Sequence, residues 1–159
     1  VPAPAEDAFT VFCGIGGERG WLYFDWLWRL RGLIDQALGS VGMRRGRRDR
    51  NDLQQGEPLD FWRVERIIEP RLLLLRAEMR VPGKAWLQFE SLPRGRERCT
   101  LRITAYYEPR GIWGHAYWYA LYFFHKLILA GLARAISLRA AARFQARRGT
   151  ARLSATSVA

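Results

Sequence analysis

Between Leu59 and Glu108 apolar and polar residues alternate with a period of two, and on either side the spacing becomes that of a helix. Four alternating runs stand out: Leu59 to Ile68, Arg71 to Val81, Lys84 to Ser91 and Arg98 to Glu108. The turn signals "EPR", "PG" and "PRGRE" separate them. Gaps this short join neighbours as hairpins, so the pattern predicts an antiparallel meander. Residues two apart share a face. One face takes Trp62, Val64, Leu73, Leu75, Ala77, Met79, Ala85, Leu87, Phe89, Leu101, Ile103, Ala105 and Tyr107. The other takes Phe61, Arg63, Glu65, Arg76, Glu78, Arg80, Lys84, Trp86, Gln88, Glu90, Arg102, Thr104, Tyr106 and Glu108. The first is a core face, the second a solvated lattice of mixed charge.

Trp21 to Leu38 reads as a helix, with Asp25–Arg29 and Arg31–Asp35 as i,i+4 pairs and Gly39 as its stop. A second, long helix is expected from Ile112 to Phe144, followed by a frayed basic tail, 145–159, with no periodicity. On a helical wheel His115, Tyr119, Tyr122, Lys126 and Ala133 fall on one side. Tyr117, Ala120, Leu121, Phe124, Ile128, Gly131 and Ala135 fall on the other. The segment from Ile112 to Leu132 has the length of a membrane span, about 20 residues. A central Lys126 costs ~2.5–3.5 kcal/mol in hydrocarbon, and the one-sided pattern is that of a surface helix. The expectation is a single α+β domain over residues 1–144. Its curved antiparallel sheet wraps around the long C-terminal helix, a helix-grip arrangement, and the aromatic first helix helps to cover the apolar face.

The stretch "FCGIGGERGW", with a strand expected over Phe9 to Phe12 and a helix after it, has the outline of a phosphate-cradling loop. A dinucleotide site also needs repeated βαβ units and an acidic residue about 20 positions past the glycines, beyond a second strand. Asp35 stands at that distance but inside the expected helix, and an antiparallel meander follows. The loop is read as a tight strand-to-helix turn.

With 159 residues the chain fits one domain, and 49% hydrophobic with 13% aromatic residues excludes a disordered segment. The net charge is +11, and every basic residue except Lys84 and Lys126 is arginine. That balance favours anionic partners, although arginine-, alanine- and leucine-rich usage also follows from GC-rich bacterial genomes. Cys13 and Cys99 are too few for a disulfide framework, which suits a cytoplasmic setting. The opening "VPAPAEDA" has no signal-peptide character, and its missing initiator Met suggests a trimmed or excised domain. In "RRGRRDR", Arg44, Arg45, Arg47 and Arg48 suit either anion capture or internal pairing with Asp60, Glu78 or Glu108. Nucleic acid is not expected there, because the aromatics belong to other elements and Asp49 and Asp52 dilute the patch. His115 and His125 are ten apart, which is not a metal-ligand spacing. No catalytic residue and no metal site are assigned, and Asp60 and Glu78 read as salt-bridge partners.

Five blocks carry a resemblance to a known family: "IGGERGWLYFDWLWRLRGLID", "GMRRGRRD", "LDFWRVE", "AEMRVPGKAWLQFE" and "YEPRGIWGHAYWYALYFFHKLI". Together they resemble DUF2867, over about Gly16 to Ala135. The resemblance implies a START-like (SRPBCC, polyketide cyclase and lipid-transport) helix-grip fold. It also implies a domain that occurs alone or behind an NAD(P)-binding, short-chain-dehydrogenase-like domain. It supplies no mechanism. Tyr122 and Phe123 precede His125 where the family leads one to expect a proline, which leaves the helix unkinked.

On this footing the sheet and long helix enclose either a filled core or a cavity. For the cavity the expected lining is Trp62, Met79, Leu87, Phe89, Ile103, Tyr107, Tyr117, Leu121, Phe124 and His125, with an apolar or amphipathic small molecule as ligand. No cofactor is expected in this domain. An alternative is a cyclase- or hydrolase-like reaction in the same cavity, using Tyr107, Asp60 or His125. The outer-face aromatics Phe61, Trp86 and Tyr106 are expected to dock the NAD(P)-binding domain or a second copy. Membrane contact is expected to be peripheral at most, through the arginine-rich loop.

Overall fold

A computed structural model describes residues 1–17, 20–23, 53–78 and 82–156, with side chains up to residue 150. The arginines 44, 45, 47 and 48, Met79, and the first expected helix beyond Tyr23 lie outside the described residues.

The chain begins with a helix where a strand was expected. Helix α1, Ala5–Cys13, buries Ala5, Ala8, Phe9 and Phe12, the i, i+3, i+4, i+7 spacing of an amphipathic helix. The run Phe9 to Phe12 shows only its last turn, which is too short to reveal that period. Pro4 stands at the N-cap, and Glu6 and Asp7 place negative charge in the first turn, where the helix dipole favours it.

The meander is present as expected. Strands β1 (Pro58–Leu59), β2 (Trp62–Ile68), β3 (Leu72–Ala77), β4 (Gly83–Pro93) and β5 (Cys99–Pro109) form one antiparallel sheet in chain order. Val64, Leu75, Leu87 and Ala105 form one row across the inner face. Leu73, Phe89 and Ile103 form the next, joined by Ile67 after a bulge at Glu65. The bulge leaves both Glu65 and Arg66 on the exposed side before the alternation resumes. On the outer face Glu65–Arg76, Lys84–Glu108 and Glu90–Arg102 make ion pairs at 3.6–3.9 Å.

Helix α2, Gly111–Thr156, continues past the expected end at Phe144 through residues placed in the frayed tail. Alanine and arginine are strong helix formers, and the last turns are anchored. Arg143 and Arg147 both donate to Oδ1 of the fully buried Asp7 on α1, at 3.2 and 3.0 Å, and Arg148 pairs with Glu97. Ile128, Leu132, Ile136 and Ala140, four apart, form the buried stripe of α2. At its start Gly114 is buried against Pro82 and Pro109, where an added Cβ would come within 2.5 Å of the Pro82 carbonyl oxygen. The core joins Phe9, Phe12, Trp21, Phe61 and Trp62 to the inner sheet face and to Leu132 and Ile136. The layout is α+β, a curved five-stranded antiparallel sheet with a long C-terminal helix, consistent with a helix grip.

Candidate functional site

The glycine loop leads from α1 to the core, and its anion belongs to the chain itself. Gly16, Gly17 and Gly20 all have positive φ, open to glycine at little cost. A Cβ at Gly16 would meet Leu59 Cδ1 at 2.7 Å. The Gly17 N–H donates to the Asp60 carboxylate at 3.1 Å and the Trp21 indole N–H to the same oxygen at 3.0 Å. Asp60 is 2% exposed. The loop therefore cradles a carboxylate of its own fold, in the manner that suggested a phosphate. Trp21 to Tyr23 are non-helical, so a helix cannot start at Trp21 as expected.

Asp60 also corrects the expected outer-face patch. Its φ of +54° turns the chain between β1 and β2, and Phe61 lies in that turn instead of in the alternating strand. Phe61 is consequently 1% exposed and stacks on Trp21 at 6.1 Å. Trp86 and Tyr106 do share the outer face as a directly opposed pair. Trp86 is half-buried with its indole N–H on Glu65 Oε2 at 2.9 Å, and Tyr106 is exposed.

Of the expected cavity lining, Trp62, Leu87 and Phe89 are core residues, and Phe89 stacks on Phe12 at 5.6 Å. The deep part of the space between sheet and helix is filled. Phe124 faces outward at 55% exposure, a correction to its place on the wheel. The true buried stripe runs through Gly114, Ile128 and Leu132, which leaves Phe124 and Ala120 outside it. Ile103, Tyr107, Tyr117, Leu121 and His125 are half-buried.

Of these, Tyr107 and Tyr117 meet at the end of the sheet where β5 runs into α2. Trp62 pairs with Ala77, and Ala85 with Tyr107; the register that sets Arg76 opposite Trp86 carries Ala77 beside Ala85. The row thus reads large, small, small, large. Trp62 and Tyr107 stand three strand spacings apart, about 14 Å, with a floor of methyl groups between them. Ala77, Ala85 and Tyr107 are half-buried, whereas Val64, Leu75 and Leu87 of the next row are buried. Tyr107 stacks on Trp118 at 5.2 Å and 7°, and Trp118 meets His125 at 5.6 Å. Trp118 was not singled out in the sequence, although it lies seven residues from His125 and so on the same helix face.

The polar groups here are few and uncharged. The Tyr107 hydroxyl donates to the Pro82 carbonyl at 2.8 Å, and burial, with the nearby Tyr117, pushes its pKa up. Burial pushes His125 below its ordinary value of 6.5, so the imidazole is neutral at pH 7. Trp62 Nε1 and His125 Nδ1 are buried without a hydrogen-bond partner. Glu78 is bound by Arg63, which also donates to the Gly56 carbonyl. Among the described residues no three His, Cys, Asp or Glu side chains converge as a metal would need. At the opposite end of β5 Val1, Pro2, Arg94, Arg98 and Cys99 border a recess open to solvent.

The family model described as a protein of unknown function (DUF2867) matches residues 1–132. The chain belongs to the DUF2867 family. No curated protein and no solved structure matches it. In this DUF2867 chain the match takes in α1, the whole sheet and α2 as far as Leu132, and so the row from Trp62 to Tyr107 with the helix turns that face it.

Proposed function

We propose that this chain is a START-like binding module that holds an apolar or amphipathic small molecule at the end of the sheet, between the Trp62–Ala77–Ala85–Tyr107 row and the turns of α2 from Tyr117 to His125. One observation carries the reading. Two buried ring nitrogens, Trp62 Nε1 at one end of the row and His125 Nδ1 on α2, lack hydrogen-bond partners. Unpaired buried polar groups are costly, and a ligand with a carbonyl or hydroxyl head would satisfy an indole donor and a neutral imidazole. Shared proton chemistry is less well supported. The Tyr107 hydroxyl is already engaged, the basicity of His125 is lowered, and Asp60 is held by the glycine loop. In this reading the domain works in the cytoplasm as an accessory to an NAD(P)-binding domain, with Trp86 and Tyr106 on the surface offered to that neighbour. It brings no cofactor of its own.

Native mass spectrometry of the chain purified from cells tests the proposal. The parent should carry an adduct released by organic solvent, and Ala77→Leu with Ala85→Leu, which fills the floor, should carry less. A parent that carries no adduct and takes up no added fatty acid or fatty alcohol would sink it.

A further inference from the structure

The outer face of the first half of α2 is apolar and aromatic, and among the described residues nothing covers it. Opposite the buried stripe stand Ile112, Trp113, Tyr119, Phe123 and Leu127, with Trp113 79% and Phe123 71% exposed. Over about 23 Å of helix this face carries one charge, Lys126. The wheel expected this side to be polar; instead its tyrosines lie among larger apolar rings. A surface of this kind is out of keeping with a freely solvated helix.

Charge distribution says what covers it. From Arg110 to the end the chain has no Asp or Glu, while α2 carries Lys126 and six arginines. Arg143, Arg147 and Arg148 pair with acids of other elements. Lys126, Arg134 and Arg139 hold no ion pair among the described residues. Arg110 precedes the apolar face, Lys126 sits at its edge, and Arg134 follows Leu127 by seven residues on the same side. Cations bordering an apolar face rich in Trp and Tyr complement anionic headgroups above acyl chains.

Helix α2 is long and apolar enough to cross a bilayer by length and composition. Its other face rules out that orientation. Gly114 lies against Pro82 and Pro109, Trp118 against Tyr107, and Leu132 in the core, so a crossing would drag β5 and the start of β4 into hydrocarbon. We propose that the face from Ile112 to Leu127 docks on an anionic lipid bilayer, with the axis of α2 in the membrane plane. This contact involves neither the arginine-rich loop nor the ligand row, and it stands or falls apart from them.

Flotation with vesicles tests it on the intact chain. The parent should float with phosphatidylcholine–phosphatidylglycerol vesicles, less with phosphatidylcholine alone, and less in high salt. Trp113→Ser with Phe123→Ser, both at exposed positions, should weaken partition at least about tenfold. Lys126→Glu with Arg134→Glu should abolish the preference for phosphatidylglycerol. The proposal is overturned if the parent stays in the soluble fraction with every vesicle, or if the serine variant, folded by circular dichroism, floats like the parent. It is also overturned if sedimentation shows a parent dimer that the serine variant breaks, since the face would then join two copies. The parent's own lipid and salt series needs no variant.

Discussion

Asp60 links three features that are distant in the chain: the glycine loop, the Trp21 indole and the turn that buries Phe61. Replacing it with alanine leaves the part-buried Gly17 N–H and the buried Trp21 Nε1–H without that acceptor. A buried donor left unpaired costs about 1–3 kcal/mol, so Asp60→Ala should lose about 3 kcal/mol in urea unfolding. Inorganic phosphate should leave the parent's unfolding unchanged, because the loop's donors already hold the Asp60 carboxylate. A variant that unfolds at the parent's urea concentration would show that the carboxylate is dispensable. His125 gives a second residue-scale expectation. Its folded pKa is depressed by burial, so the unfolded chain binds the extra proton more readily. Stability is therefore full above pH 6.5 and falls as pH drops from there towards the lowered folded value. His125→Gln should flatten that slope; an unchanged slope would place the titration elsewhere.

At the scale of elements, the two sides of α2 should respond oppositely to substitution. Leu132→Ala opens space in the core beneath the sheet and should cost about 2–5 kcal/mol. Phe123→Ala, on the exposed face, should stay within about 0.5 kcal/mol of the parent. Equal losses in thermal unfolding would mean that Phe123 is covered within its own chain. The elements differ in how far the sequence disclosed them. The strands were legible because Leu87, Phe89 and Ile103, Ala105 repeat with a period of two, and the leucine run 72–75 lies between clear turn signals. Helix α1 was not, because its period needs Ala5 and Ala8, small residues that a search for large apolar runs passes over. Phe61 was misplaced because alternation assumes a continuous strand, and a positive φ at Asp60 shifts the register. The end of α2 was hidden by its arginines, which look like a solvated tail until Asp7 is seen to lie buried beneath two of them.

For the molecule as a whole, sheet, α1 and α2 close tightly around one core and loosen at one end. The inner rows from Val64 to Ala105 and from Leu73 to Ile103 meet α1 and the buried stripe of α2, which fills the depth between sheet and helix. The Trp62–Tyr107 row lies beyond that contact. The small residues that keep it shallow, Ala77 and Ala85, were visible in the sequence. That they stand side by side follows only from strand register, which periodicity does not supply. The exposed and core-facing sides of α2 were likewise mixed, with Phe124 placed inward, until the buried stripe fixed the helix's rotation. The most direct test of the account is a ¹⁵N–¹H correlation titration of the intact chain with lauric acid, with the Trp62 indole resonance assigned by Trp62→Phe. The account predicts that the Trp62 Nε1–H signal moves and saturates, and that Ala85→Leu, still folded, abolishes the movement. A Trp62 signal that stays fixed while others titrate, or an Ala85→Leu chain that titrates like the parent, would contradict it.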